Sequence, residues 1–210
     1  MALQIETFVG GPIDTNAYLV ADDATGDAIV VDAPAGVTPA VVARANERGW
    51  TIRRIVLTHV HWDHVADAAA MQAATGAPLT AHPLAREPLA HPAPLLGALP
   101  FEIPPATADA TIAEGDTVAV GGHTFRVLHL PGHDSTHIVL VSEPDRTLLG
   151  GDVLFPGGHG RTDIPGADEA AMRASLRRLL PFPPDTTVYP GHGAPTTIGA
   201  EAGWMGSLRG

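Results

Sequence analysis

The sequence predicts an α/β fold in which two β-sheets are covered by helices on their outer faces. Short apolar, β-branched runs and Ala-rich helical stretches follow in the order strands, helices, strands, helix, repeated loosely in two halves. That order suits two covered sheets better than one doubly wound parallel sheet. The residues best able to hold a metal fall just after such runs, where α/β proteins commonly build their sites. At 210 residues the chain can bury a substantial core, and residues 1–210 read as a single domain.

Residues 3–9, 16–21 and 27–32 read as short strands, the last being Asp27-Ala28-Ile29-Val30-Val31-Asp32. Residues 38–49 read as a helix, 52–58 as a buried strand and 63–75 as an Ala-rich helix, followed by a short strand at 77–81. Between 83 and 108, seven prolines and little periodicity predict short helical pieces and loop. A second series opens with 117–120 and 124–130 around Gly121-Gly122-His123, a hairpin turn. Segments 137–142 and 147–150 are short and apolar, 167–180 carries Met172, Leu176 and Leu179 at helical spacing, and 187–189 is a last strand. No internal repeat is visible.

Composition excludes several classes of function. The chain is 45% hydrophobic and 17% charged, as expected of a soluble domain. No apolar run approaches the ~18–20 residues that span a bilayer. Met1-Ala2-Leu3-Gln4-Ile5-Glu6 lacks a basic stretch followed by an apolar one, so a cytoplasmic protein without a secretory signal is expected. The absence of cysteine removes disulfides, thiolate ligands and a cysteine nucleophile. A formal charge of −11 argues against a nucleic-acid surface. Arg44, Arg48, Arg53 and Arg54 read as a solvated face. The expected partner is a small-molecule substrate, with neither nucleic acid nor membrane, and homo-oligomerisation stays open.

The densest chemistry lies in Thr58-His59-Val60-His61-Trp62-Asp63-His64, where a strand gives way to a helix. Three imidazoles and a carboxylate at this spacing are a concentrated set of metal ligands. Three further segments place a His or Asp on a Gly-rich loop after a strand: Leu130-Pro131-Gly132-His133, Gly150-Gly151-Asp152 and Tyr189-Pro190-Gly191-His192-Gly193. In an extended segment His59 and His61 share a face and can converge on one ion. Asp63 and His64 come after the chain has begun to turn and point towards a second. His133 completes the first site, His192 the second, and Asp152 bridges them.

These residues resemble the metallo-β-lactamase superfamily, specifically its glyoxalase II-like hydrolases. The T-H-x-H-x-D-H motif is Thr58 to His64, the later ligands match His133, Asp152 and His192, and Gly160-Arg161-Thr162-Asp163 and Thr196-Thr197-Ile198-Gly199 are also similar. The resemblance implies an αββα sandwich of two mixed sheets with the metals at one edge. Two features depart from the pattern. Only residues 193–210 follow His192, so the C-terminal helical domain that binds glutathione in full-length glyoxalase II is expected to be lacking. The residue after the third ligand motif, commonly a small Thr, is Asp134.

What the resemblance implies for function is thioester hydrolysis at a binuclear site of two divalent ions, zinc first, with iron or manganese as alternatives. A hydroxide bridging the ions, formed near neutral pH, attacks the carbonyl. Asp63 is the candidate catalytic residue, orienting that hydroxide and handling its proton. Two other readings share the fold: a persulfide dioxygenase with one iron on His59, His133 and Asp152, and a lactonase or ester hydrolase. His159 and Arg161 are candidates for substrate contact, with solvent exposure for His159 and a structural pair with Asp163 for Arg161 as the alternatives. Asp32 reads as a supporting or turn residue, His137 as packed or bonded within its strand, and Trp62 and Phe155 as cleft wall or core.

Overall fold

A computed structural model describes residues 3–93, 99 and 101–208. The first sheet holds β1 (Leu3–Gly10), β2 (Thr15–Asp22), β3 (Asp27–Val31), β4 (Thr51–Val56), β5 (Leu79–Ala81) and β6 (Ala110–Thr111), in that spatial order. Its first three strands pair antiparallel, and β3 to β6 run parallel. The second sheet holds β7 (Thr117–Val120), β8 (His123–His129), β9 (Ile138–Ser142), β10 (Thr147–Gly151), β11 (Thr187–Pro190) and β12 (Thr196–Thr197), adjacent in chain order. Only β10 and β11 pair parallel there. Both sheets are mixed, as expected.

Period-two alternation sorts side chains between layers. Tyr18 and Val20 of β2 and Ile29 and Val31 of β3 meet Phe125, Val127, Ile138, Leu140 and Leu149 in the core between the sheets. Their neighbours Leu19, Ala21, Ala28 and Val30 face outward, under α1 (Thr38–Arg48), α3 (Ala68–Thr75) and α4 (Arg86–Ala90). Leu128, Val139, Val141, Leu148 and Val188 pack outward under α5 (Glu169–Arg177) and α6 (Ile198–Ser207). The αββα sandwich therefore follows from strands that are apolar on both faces.

Several boundaries differ from the sequence reading. The strand expected over 52–58 ends at Val56, and its start is partly exposed, with Arg53 paired to Asp27 at 2.6 Å. The single helix expected over 63–75 is two, α2 (Trp62–Val65) and α3. Asp67 separates them: its carboxylate accepts from Thr38 N and Oγ1 at 3.1 and 2.9 Å, capping α1, while Ala33 N–H takes the His64 carbonyl at 2.8 Å. The hairpin turn is only Gly121-Gly122, because His123 already belongs to β8. The 83–108 stretch contains a 3-10 turn at Pro83–Ala85 and then α4; residues 94–98 and 100 of it, like Met1 and Ala2, lie outside the described residues. The sequence reading omitted β6, β12 and α6.

Three glycines, Gly199, Gly203 and Gly206, weaken the helical signal of α6. Tertiary ties hold it instead. The Thr197 hydroxyl accepts Ala200 N–H at its N-terminus, and buried Glu201 accepts from Thr196 Oγ1, Trp204 Nε1 and Gly157 N–H at 2.6, 2.6 and 2.8 Å. The last bond fastens the loop after β10. Among the described residues no helix is long and apolar enough to cross a membrane.

Phe125 is fully buried between the sheets. Phe125→Ala is expected to cost about 3–5 kcal/mol in urea unfolding of the metal-free protein, the usual range for an aromatic cavity in a close-packed core.

Candidate metal centre

All seven side chains expected as ligands converge at one end of the two sheets. His59 and His61 follow β4, Asp63 and His64 lie on α2, His133 follows β8, Asp152 follows β10, and His192 follows β11. The ligand-type atoms of His59, His61 and His133 lie within 4.8 Å of one another, as do those of Asp63, His64 and His192. A third such group, His59, His64 and Asp152, links them. Asp152 Oδ1 is 3.3 Å from His64 Nε2, and its Oδ2 is 3.3 Å from His133 Nε2 and 3.6 Å from His192 Nε2.

Hydrogen bonds behind the rings decide which nitrogen each presents. The Thr58 hydroxyl donates to Asp32 Oδ2 at 2.8 Å, so it accepts from His59 Nδ1 at 3.0 Å. His64 Nδ1 donates to Asp32 Oδ2 at 2.8 Å, and His133 Nδ1 to the Arg161 carbonyl at 2.8 Å. His192 Nδ1 donates to the Ile13 carbonyl at 3.2 Å. Each of these four rings thereby turns its Nε2 towards the cluster. Among the described residues, Nε2 of His59, His64 and His133 and Oδ1 of Asp152 are buried with no hydrogen-bond partner. Bare atoms of this kind cost about 1–3 kcal/mol each, which a cation accepting their lone pairs removes. An all-nitrogen-and-oxygen donor set suits zinc, iron or manganese.

The electrostatics agree with a cation site. Burial opposes a charge on Asp63, but His64 and hydrogen bonds from His192 and Thr15 hold its carboxyl at about 2. Burial likewise works against Asp152, and His64, His133 and His192 together hold it below the usual range. Burial keeps His59 well below the ordinary imidazole value; burial and neighbouring His133 hold His61 at about 4. Burial would lower His64 too, but Asp63, Asp32 and Asp152 raise it well above the ordinary value. The metal-free cluster thus combines two anionic carboxylates with neutral His59 and His61 and a His64 that favours its protonated form.

Close packing around the candidate ligands requires glycine, as Gly151 and Gly191 show. Gly151 has φ 47°, and a Cβ there would lie 2.7 Å from both His137 Nε2 and Thr58 Oγ1. A Cβ on Gly191 would overlap Asp152 Oδ1 and lie 2.6 Å from His64 Cε1. The cluster opens into a cleft of about 440 Å³ walled by Ile13, Trp62, Phe155 and Ile164, with His159 and Arg161 at its side. Arg161 both lines the cleft and pairs with Asp163 through two bonds of 2.8 and 3.0 Å. His159 bonds the Gly160 carbonyl at 2.8 Å and leans on Trp204.

Some residues at the site were not singled out from the sequence. Thr15 Oγ1 donates to Asp63 Oδ2 at 2.8 Å; a threonine opening a strand carries no signal of that role. Asn16 Nδ2 and the Tyr18 hydroxyl both donate to the Pro190 carbonyl, at 2.9 and 2.6 Å, tying the last ligand loop to the first sheet. His137 does not merely pack within its strand: it is fully buried, accepts the Asp152 backbone N–H at 2.9 Å and stacks on His59.

A family model described as "Metallo-beta-lactamase superfamily" matches residues 10–192. A Haemophilus influenzae protein named hydroxyacylglutathione hydrolase GloC is 32% identical over 206 residues, covering 95% of this chain and 95% of its own length. A Cereibacter sphaeroides hydroxyacylglutathione hydrolase is 38% identical over 179 residues, 85% of this chain, but the match spans only 62% of that relative. Among solved structures, BLEG-1 B3 metallo-beta-lactamase superposes with a TM-score of 0.86 at 33% identity, covering 99% of this chain and 100% of its own. ETHE1 from Myxococcus xanthus gives 0.77 at 28% identity, covering 94% of this chain and 81% of its own. TTHA1623 in a di-iron-bound form gives 0.74 at 35% identity, covering 94% and 96%.

Gly191→Ala tests the packing of the cluster. The added methyl displaces Asp152 or His64, so the purified variant is expected to hold at least one fewer ion per chain by elemental analysis while keeping its far-ultraviolet circular dichroism.

Proposed function

The chain belongs to the metallo-beta-lactamase superfamily, and on that footing we propose that it is a binuclear metal-dependent hydrolase of acyl thioesters. One observation supports this above the others. The groups His59–His61–His133 and Asp63–His64–His192 share no residue, each offers three ligand atoms, and Asp152 stands between them. Two divalent ions held there, by these six residues and Asp152, would supply a water acidic enough to ionise near neutral pH and a Lewis-acid contact for a carbonyl oxygen.

The chain's own groups have separable tasks. Asp63 Oδ2 accepts the Thr15 hydroxyl and lies 3.3 Å from both His64 Nε2 and His192 Nε2, which fixes the carboxylate beside the cluster to orient the attacking water and take its proton. A carboxyl held at about 2 stays anionic and so remains an acceptor throughout the working pH range. Ile13, Trp62, Phe155 and Ile164 offer the acyl group an apolar wall beside the cluster. A thiolate is a weak enough base to leave without a dedicated general acid. The names of the Haemophilus and Cereibacter relatives favour a hydroxyacyl thioester as substrate.

The likeness to ETHE1 supports a second reading, persulfide oxidation at a single iron on His59, His133 and Asp152. The likeness to BLEG-1 keeps cyclic esters and amides among the substrates to assay.

Metal content of protein purified without added metal, followed by turnover of a lactoyl thioester, decides between these readings. About two ions per chain and chelator-sensitive thioester cleavage are expected. One iron per chain with oxygen uptake on a persulfide would replace hydrolysis by oxidation. Asp63→Asn is expected to lower kcat by roughly 10²–10⁴-fold, the usual worth of a positioned proton acceptor, with thioester KM changed much less. Full turnover with both ions retained would remove Asp63 from the mechanism.

A further inference from the structure

We propose that Asp134 is a positioning residue whose carboxylate fixes the His61 ring and strengthens the His59–His61–His133 half of the centre, an inference that rests on the binuclear reading. Four of the five ligand imidazoles have a nitrogen anchored from behind, by Thr58 Oγ1, Asp32, the Arg161 carbonyl and the Ile13 carbonyl. His61 is the fifth. Its Nε2 faces Asp134 Oδ2 at 3.6 Å, an ion-pair distance somewhat longer than a hydrogen bond, and the two side chains are only 6% and 16% exposed.

Asp134 is itself held in place. Its Oδ1 accepts the Thr136 backbone N–H at 2.7 Å and the Thr136 hydroxyl, which leaves Oδ2 directed at His61. Each half of the centre then contains one imidazole backed by a carboxylate: His64 by Asp32 and His61 by Asp134. A carboxylate behind a ligand imidazole orients the ring and makes it a stronger donor, and its loss commonly weakens metal binding 10–100-fold.

The test is Asp134→Asn, which keeps an oxygen for Thr136 but removes the charge facing His61. Metal-free wild type and variant are titrated with zinc against a chromophoric chelator, and each site is followed by the visible bands of the cobalt-substituted protein. The expected result is one dissociation constant weakened about 10–100-fold with altered cobalt bands, the other constant staying within about twofold. Thr136→Val is the control for loop geometry, since it removes the hydroxyl on Asp134 and leaves the carboxylate; both its constants are expected to match wild type. If Asp134→Asn does not fold, Asp134→Thr reads the same constants.

Two unchanged constants, equal weakening of both, or the same loss in Thr136→Val would overturn the proposal. A wild type that binds one ion fails the binuclear reading instead. The variant's constant for that single ion then still decides whether Asp134 supports it: a 10–100-fold loss upholds the role, and no change removes it.

Discussion

The carboxylate of Asp32 is the constraint on which the rest of the centre depends. It is 2% exposed, directly follows β3 with a φ of 62°, and receives three hydrogen bonds of 2.8 Å, from Thr58 N, Thr58 Oγ1 and His64 Nδ1. A residue other than glycine in that backbone region is uncommon, and aspartate tolerates it better than most. The consequence reaches two rings at once. Thr58, having spent its proton on Asp32, can only accept from His59, and His64 must carry its proton on Nδ1. One acid thereby sets the tautomer of one candidate ligand in each half of the cluster.

The second requirement is that two sheets end together. Four ligands come from the end of the first sheet and three from loops of the second, so the sandwich must close before the ligand atoms come within reach. The apolar core between the sheets supplies the driving force, and a few polar ties set the alignment. Asn16 and Tyr18 on β2 both hold the Pro190 carbonyl, and Thr15 pairs with His192 across an isolated bridge. Gly151 and Gly191 then let backbone lie where any side chain would push ligands apart. The left-handed φ at Gly151 is tolerated because glycine has no Cβ to clash.

Legibility in the sequence followed how local each determinant is. The candidate ligand positions were readable because four crowd into the dense His/Asp stretch from His59 to His64 and the other three sit beside glycine, all shortly after an apolar run. The two-sheet architecture was readable because its strands are apolar on alternate faces or both. Less local features were hidden. The break between α2 and α3 depends on Asp67 reaching Thr38, 29 positions away, and Thr15 meets Asp63 across 48 positions. Helix α6 carries three glycines and is held by Glu201 and its neighbours rather than by its own propensity. His137 looked like an ordinary strand residue, and only the fold shows it beneath Asp152.

The pairing of Thr15 with His192 also bears on how the chain becomes an enzyme during synthesis. His192 Nδ1 bonds the Ile13 carbonyl across 179 positions, and Asn16 reaches Gly193 across 177. A nascent chain that has released only the first sheet owns four of the candidate ligands and half a sandwich, with no partner sheet to cover the strand faces. Contacts of such sequence separation form late and slowly. The second half of the cluster therefore assembles only after the second sheet has been made, and a filled cluster marks a chain whose two sheets have closed on each other.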